Sequence, residues 1–271
     1  MKELNIAKKP LIISAAVFVL ALAFAFTLGF VIRGCDFTPP KTYTTEDFTY
    51  MSDISSVKDI LNTTNEKYLL LVNKRNPLGE TYAPESVIDV DKAYTLYEKS
   101  VQLESATAQA AIAMINEMRA QGIDNVYITS GYRDYAYQKK LFDNYMYAEW
   151  QKDKTLTEAE REEKVRQYSA YPGESEHQSG LCVDFFVAPG MSELVNYGSE
   201  TEKTNDIGFA ETEAFEWLKE NAHKFGFILR YPEGKEAQTG YSYESWHYRF
   251  VGIDAATKIH ESGKTLEGWL E

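Results

Sequence analysis

Cysteine is nearly absent from this chain: Cys35 and Cys182 are the two in 271 residues. They are poor mates, because Cys35 follows directly on a long apolar run, so no disulfide framework holds the fold and it must stand on its core. Histidine is also scarce, with only His177, His223, His247 and His260. Positive charge is in short supply, 28 Lys and Arg against 41 Asp and Glu. Beyond residue 35 the balance is 24 basic to 40 acidic side chains, a formal charge of −16, which argues against nucleic acid or an anionic surface as the main partner. What is present is 44% apolar residues and 14% aromatics, enough for a packed core and too many for a disordered chain.

Long apolar runs are missing with one exception. Residues 11–32, "LIISAAVFVLALAFAFTLGFVI", carry no charge and lie between Lys2, Lys8 and Lys9 on one side and Arg33 on the other. As a helix they would extend ~33 Å, which matches a bilayer core. The lysines predict residues 1–10 in the cytoplasm, a transmembrane anchor at 11–32 and the rest of the chain outside. A cleaved signal peptide ending near Ala21–Ala23 competes with this reading, but the apolar run continues well past Ala23. A lipoprotein signal ending at Cys35 is disfavoured by Arg33. Residues 33–60, rich in Thr and Asp with Pro39 and Pro40, read as an extracytoplasmic tether, and 61–271 as the functional domain.

No internal repeat is visible. "KYLLLVN" (67–73) reads as a first strand or edge segment. From Glu104 to Gln121, Ala108, Ala111, Ile112, Ile115 and Met118 recur at helical spacing and Gly122 supplies a stop. "VYITS" (126–130) reads as a strand, followed by a helix whose Leu141, Phe142, Tyr145 and Met146 form a core stripe. Residues 150–169 read as a solvated helix, a surface insertion or lid, with a capping box at Thr157 and Glu160 and charge pairs Glu160–Lys164 and Glu162–Arg166. "LCVDFFV" (181–187), "FILRY" (227–231) and "SWHYRF" (245–250) read as strands, with a helix over 212–225 ended by Gly226. This order predicts an α+β fold, with helices packed against a small antiparallel sheet and a single transmembrane helix before it.

Chemistry concentrates in two stretches, "SEHQSGLCVDF" (175–185) and "YESWHYRF" (243–250). A lone histidine is usually a hydrogen-bonded structural residue. Here His177 is followed by Asp184, and Glu244 precedes His247 by three. Two imidazoles and a carboxylate suit a zinc ion that keeps one position open for water, whose pKa it can lower to about 7. Glu244 has the chemistry of a proton acceptor off the metal. Gly180 would let the backbone turn tightly between His177 and the strand bearing Asp184.

These two stretches resemble the S-x-H-x-x-G-x-x-x-D and E-x-W-H-x-R motifs of the VanY-type D-alanyl-D-alanine carboxypeptidases, a zinc peptidase family. "SGYRDYAYQKKLF" (130–142) resembles the family's S-x-G-Y-R region. The likeness spans about residues 67–252 and keeps the order of all three blocks. It implies zinc on His177, Asp184 and His247, with Glu244 as catalytic base that passes a proton to the leaving amine. Arg133 would polarise the scissile carbonyl or hold a substrate carboxylate, the alternative being a surface ion pair with Asp134. Ser175 would contact substrate, Gln138 could reach the same cleft, and Tyr132 and Trp246 would shape its wall. Arg249 reads as supporting or structural.

The activity implied is removal of the terminal D-alanine from peptidoglycan stem pentapeptides by a single-pass bacterial membrane protein. An L,D-carboxypeptidase acting on tetrapeptide stems, a peptidoglycan endopeptidase, and a non-catalytic zinc-containing binding domain akin to hedgehog-type domains are the alternatives. Cys182 departs from the small residue typical of the family. It reads as a buried small hydrophobe or, on the same strand face as Asp184, a competing ligand. His223 and His260 have no metal partners within reach in the sequence.

Overall fold

The computed structural model describes residues 40–188 and 208–271. Among the described residues, six strands and six main helices belong to the unit Tyr43–Glu271. A two-stranded antiparallel sheet pairs β1 (Val87–Asp89) with β2 (Gln102–Glu104). A four-stranded antiparallel sheet contains β3 (Val126–Ser130), β4 (Cys182–Val187), β5 (Phe227–Tyr231) and β6 (Glu244–Phe250), in the spatial order β3-β4-β6-β5. The helices are α1 (Ser105–Ala120), α2 (Tyr135–Lys152), α3 (Glu158–Tyr168), α4 (Glu213–Asn221), α5 (Ile253–Ser262) and α6 (Leu266–Leu270). The expected α+β class is what forms.

The period-two alternation of a strand divides the larger sheet into two chemistries. Val126, Ile128, Val183, Phe185, Phe227, Tyr248 and Phe250 join one buried apolar cluster with Met114 and Met118 of α1 and Phe215 and Leu218 of α4. Burial of each such side chain contributes about 1.5–3 kcal/mol, so this face locks the sheet on its helices. The alternate positions, Asp184 on β4 and His247 and Arg249 on β6, therefore share the opposite face, also buried but polar.

The helix of 105–120 matches its prediction and starts on an unforeseen cap: Glu104 accepts from the amides of Ala106 and Thr107 at 2.9 and 3.1 Å. The capping box at Thr157 and Glu160 forms, as does the Glu162–Arg166 pair at 3.3 Å. Lys164, however, leaves Glu160 to its cap and reaches Glu149 at 2.9 Å. Buried Glu149 also takes Lys152 and the Tyr168 hydroxyl, tying α2 to α3.

Three expectations need correction. "KYLLLVN" makes a 3-10 turn at Glu66–Leu69 and no strand. Its carbonyls at Tyr68 and Leu70 accept from the Arg249 guanidinium at 3.0 and 2.7 Å, and Leu69 and Leu71 pack on a small second cluster, so its apolar residues are covered without a sheet partner. The Leu141–Met146 stripe is not core throughout: Phe142 is buried, while Leu141 and Tyr145 line a cavity. The segment read as tether folds onto the body from Tyr43 onward. The Tyr43 amide donates to Asp254, Tyr50 hydroxyl to the Lys224 carbonyl, and the Met51 and Ser52 amides to buried Glu117 at 2.8–3.0 Å. The run 11–32 lies outside the described residues, and among the described residues no helix is long and apolar enough to cross a membrane.

Candidate metal centre and active site

Two turns and two strands meet at the polar sheet face. Asp184 on β4 stands directly opposite His247 on β6 in the antiparallel register, so one rung of the ladder fixes their separation. His177 comes from the 3-10 turn Glu176–Ser179, which Gly180 ends at φ +69°; a Cβ there would also meet the Glu104 amide nitrogen at 3.0 Å. Arg133 follows Gly131 in the turn after β3, and its amide donates to the His177 carbonyl at 3.1 Å. The small sheet braces both turns: the Tyr132 amide donates to the Gln102 carbonyl and the Glu104 amide to that of Gly180. Gly131 lies so close to β2 that a Cβ would fall 2.3 Å from the Gln102 oxygen.

The donor atoms converge. His177 Nδ1 donates to the Gly131 carbonyl at 2.6 Å, which can only accept, and this leaves the Nε2 lone pair facing Asp184 Oδ2 at 3.3 Å. Asp184 Oδ1 lies 2.9 Å from His247 Nδ1, and Glu244 Oε2 lies 3.6 Å from the same nitrogen. The two imidazole rings stand edge to face at 5.0 Å. All three ligand candidates are 2–3% exposed.

Burial, helped by the Arg133 charge, pushes the His177 pKa down to about 3, so its ring is a neutral donor. Burial would raise the Asp184 carboxyl, but His177, His247 and Arg133 hold it below the usual carboxylate range. Cys182 also lies within 4.8 Å of the two histidines' donor atoms. Burial pushes its thiol up, so it stays a neutral, weak donor beside an ionised carboxylate. Two imidazoles with their outer nitrogens tied and one ionised carboxylate fit a zinc ion.

The set opens on a cavity of about 490 Å³. Arg133, Gln138, Ser175, Glu244 and Trp246 line it, while Tyr132, half-buried, does not. Arg133 makes no ion pair among the described residues, and its Nε is buried without a hydrogen-bond partner. Asp134, the alternative partner, instead caps α2 by accepting from the Tyr137 amide at 2.6 Å. Gln138 donates to the Ala170 carbonyl and keeps a buried, unpartnered Oε1. Leu141, Tyr145, Tyr168, Tyr231 and Tyr241 supply an apolar and aromatic wall that reading for a core stripe missed.

A layer beneath the site was also missed. Glu176, 1% exposed, accepts from Arg230 and Arg249, and Arg230 reaches Glu267 of α6 at 2.6 and 2.9 Å. An arginine inside the apolar strand "FILRY" was the signal available, since such a residue must be paired when buried.

Comparison with known proteins gives this geometry its context. Residues 100–253 match the family described as VanY, D-alanyl-D-alanine carboxypeptidase. The YodJ protein of Bacillus subtilis (strain 168) is 34% identical over 225 residues, covering 82% of this chain and 74% of that protein. Among solved structures, a vancomycin resistance D,D-pentapeptidase VanY from a VanB-type resistance cassette, in complex with Zn(II), is 34% identical with a TM-score of 0.59, covering 76% of this chain and 100% of the other. The LD-carboxypeptidase LdcB is 30% identical with a TM-score of 0.60, covering 84% and 96%. A donor set suited to zinc thus sits within a chain similar to zinc peptidases along most of its length, and the protein is a zinc metallo-carboxypeptidase belonging to the VanY family of D-alanyl-D-alanine carboxypeptidases.

Proposed function

We propose that this enzyme removes the C-terminal D-alanine from peptidoglycan stem pentapeptides. The observation that carries the reading is the pairing, across one cavity, of an unpartnered buried donor on Arg133 with the Glu244 carboxylate beside His177, Asp184 and His247. His177, Asp184 and His247 would hold the zinc ion. When bound, zinc supplies a Lewis acid and lowers the pKa of water to about 7.

The remaining work falls to this chain's own side chains. Glu244, whose side chain is 20% exposed at the cavity wall, accepts the proton of the attacking water and returns it to the leaving amine. Arg133 lies close enough to lower the pKa of both His177 and Asp184. Its guanidinium is therefore positioned to stabilise negative charge developing on the scissile carbonyl. Ser175, Gln138 and Trp246 contact the peptide, with the Gln138 Oε1 offering an acceptor to a peptide N–H. The uncharged run 11–32 supports a single-pass anchor in a bacterial cell membrane, with the catalytic domain outside the cytoplasm. The likeness to LdcB favours an L,D-carboxypeptidase acting on tetrapeptide stems as the second reading.

Mass spectrometry of pentapeptide and tetrapeptide stems, incubated with zinc-loaded protein and with a chelated control, separates these. Metal-dependent loss of one alanine from the pentapeptide is expected. Cleavage of the tetrapeptide alone moves the assignment to the L,D class, and no cleavage of either with zinc bound overturns both. Glu244→Gln is expected to retain zinc and lose turnover; undiminished hydrolysis would remove Glu244 from its role.

A further inference from the structure

Glu176 belongs to the same turn as His177 and lines the same cavity. Its two oxygens have separate partners. Oε1 accepts from Arg230 Nε at 2.8 Å and from Arg249 Nη1 at 2.6 Å. Oε2 faces His247 Nε2 at 3.5 Å, the outer edge of hydrogen-bond distance, and has no other partner among the described residues. The opposite ring nitrogen, Nδ1, is the one turned to Asp184 and Glu244.

The supports of Glu176 are fixed in turn. Arg230 and Arg249 are both fully buried. Arg230 gives its other two nitrogens to Glu267, which also accepts from Asn73 at 3.1 Å. Arg249 spends its remaining donors on the carbonyls of Tyr68, Leu70 and Phe250. Two arginines and two glutamates balance in charge, and every guanidinium nitrogen has an acceptor. The carboxylate cannot swing away from the ring without leaving buried Arg249 with no carboxylate partner and Arg230 with Glu267 alone.

We infer that Glu176 is a positioning residue for His247: by accepting from Nε2–H it fixes the ring's tautomer and angle, so that Nδ1 presents its lone pair toward Asp184. A carboxylate behind a ligating imidazole is worth about 10- to 100-fold in metal affinity. The inference rests on His247 being a metal ligand, and the experiment tests that separately.

Zinc affinity of the full chain is measured by competition with a chromophoric chelator for wild type, His247→Ala, Glu176→Gln and Glu267→Gln, with the melting temperature of each. His247→Ala is expected to lose high-affinity zinc; if it does not, the ligand reading and the inference fail together. Glu176→Gln is expected to bind zinc about 10- to 100-fold more weakly. Glu267→Gln, which disturbs the same buried network without touching His247, is expected to stay within about threefold of wild type. Wild-type affinity in Glu176→Gln, or equal losses in the two glutamate variants tracking their melting temperatures, overturns the inference alone. Should Glu176→Gln fail to fold, ¹⁵N-histidine spectra of zinc-loaded wild type decide it: a slowly exchanging proton on His247 Nε2 is expected, and a proton on Nδ1 overturns the proposal.

Discussion

Arg133 shows how one side chain can be read for what it fails to do. A guanidinium presents a planar fork of donors at unvarying charge, and an ammonium is a point charge on a flexible stem. Arg133→Lys should therefore keep the charge near His177 and Asp184 and lose the directed donors. The expected outcome is a drop of about 10²–10³-fold in kcat with zinc content unchanged, measured by D-alanine release. Equal kcat with a raised KM would assign Arg133 to ground-state binding instead. The four acidic and imidazole residues at the cavity floor were legible because their types and spacing are unusual in a chain with four histidines. Glu176 was not, although it stands next to His177 in the same quoted stretch. A glutamate beside a ligand looks like any solvated charge until Arg230 and Arg249 come from two other strands to bury it.

At the scale of elements, the strands of the larger sheet and helix α1 follow from periodicity and the glycine stop after α1, since each buries one face in a single cluster. The two-stranded sheet was invisible, because three residues in each strand are too few to show a period. Its importance lies in the turns it holds. Gly131→Ala would drive a Cβ into the Gln102 carbonyl, displacing the oxygen that orients His177. Zinc affinity is expected to fall at least about tenfold while far-ultraviolet circular dichroism is retained. Unchanged affinity would show that the turn relaxes without moving the imidazole. Residues 150–169, the end of α2 and the whole of α3, were read as a solvated insertion, and most of them are exposed. The inner face of the α2–α3 pair belongs to the cavity, which Leu141, Tyr145 and Tyr168 line.

For the whole molecule, the strap from Tyr43 to Ser52 joins the start of the unit to α1, α5 and the turn at Ala222–Phe225. Phe48 meets His223 edge on at 5.5 Å, and His223 stacks on His260 at 4.2 Å. Burial, with His260 and Lys224 nearby, pushes the His223 pKa from 6.5 down to about 4. Between these values the unfolded chain binds a proton that the folded protein does not, so stability rises with pH across the window. The contribution is whole above pH 6.5 and is lost as pH falls toward 4. His223→Phe should melt with a flatter pH dependence than wild type over this range; parallel slopes would discount the residue. The single rung that pairs Asp184 with His247 has a kinetic meaning as well. These residues lie 63 positions apart, and a slip of one residue would send one of them to the apolar side. Closing so distant a contact is slow compared with forming helices. During refolding, high-affinity metal capture should thus lag behind helix formation and serve as a clock for strand registration.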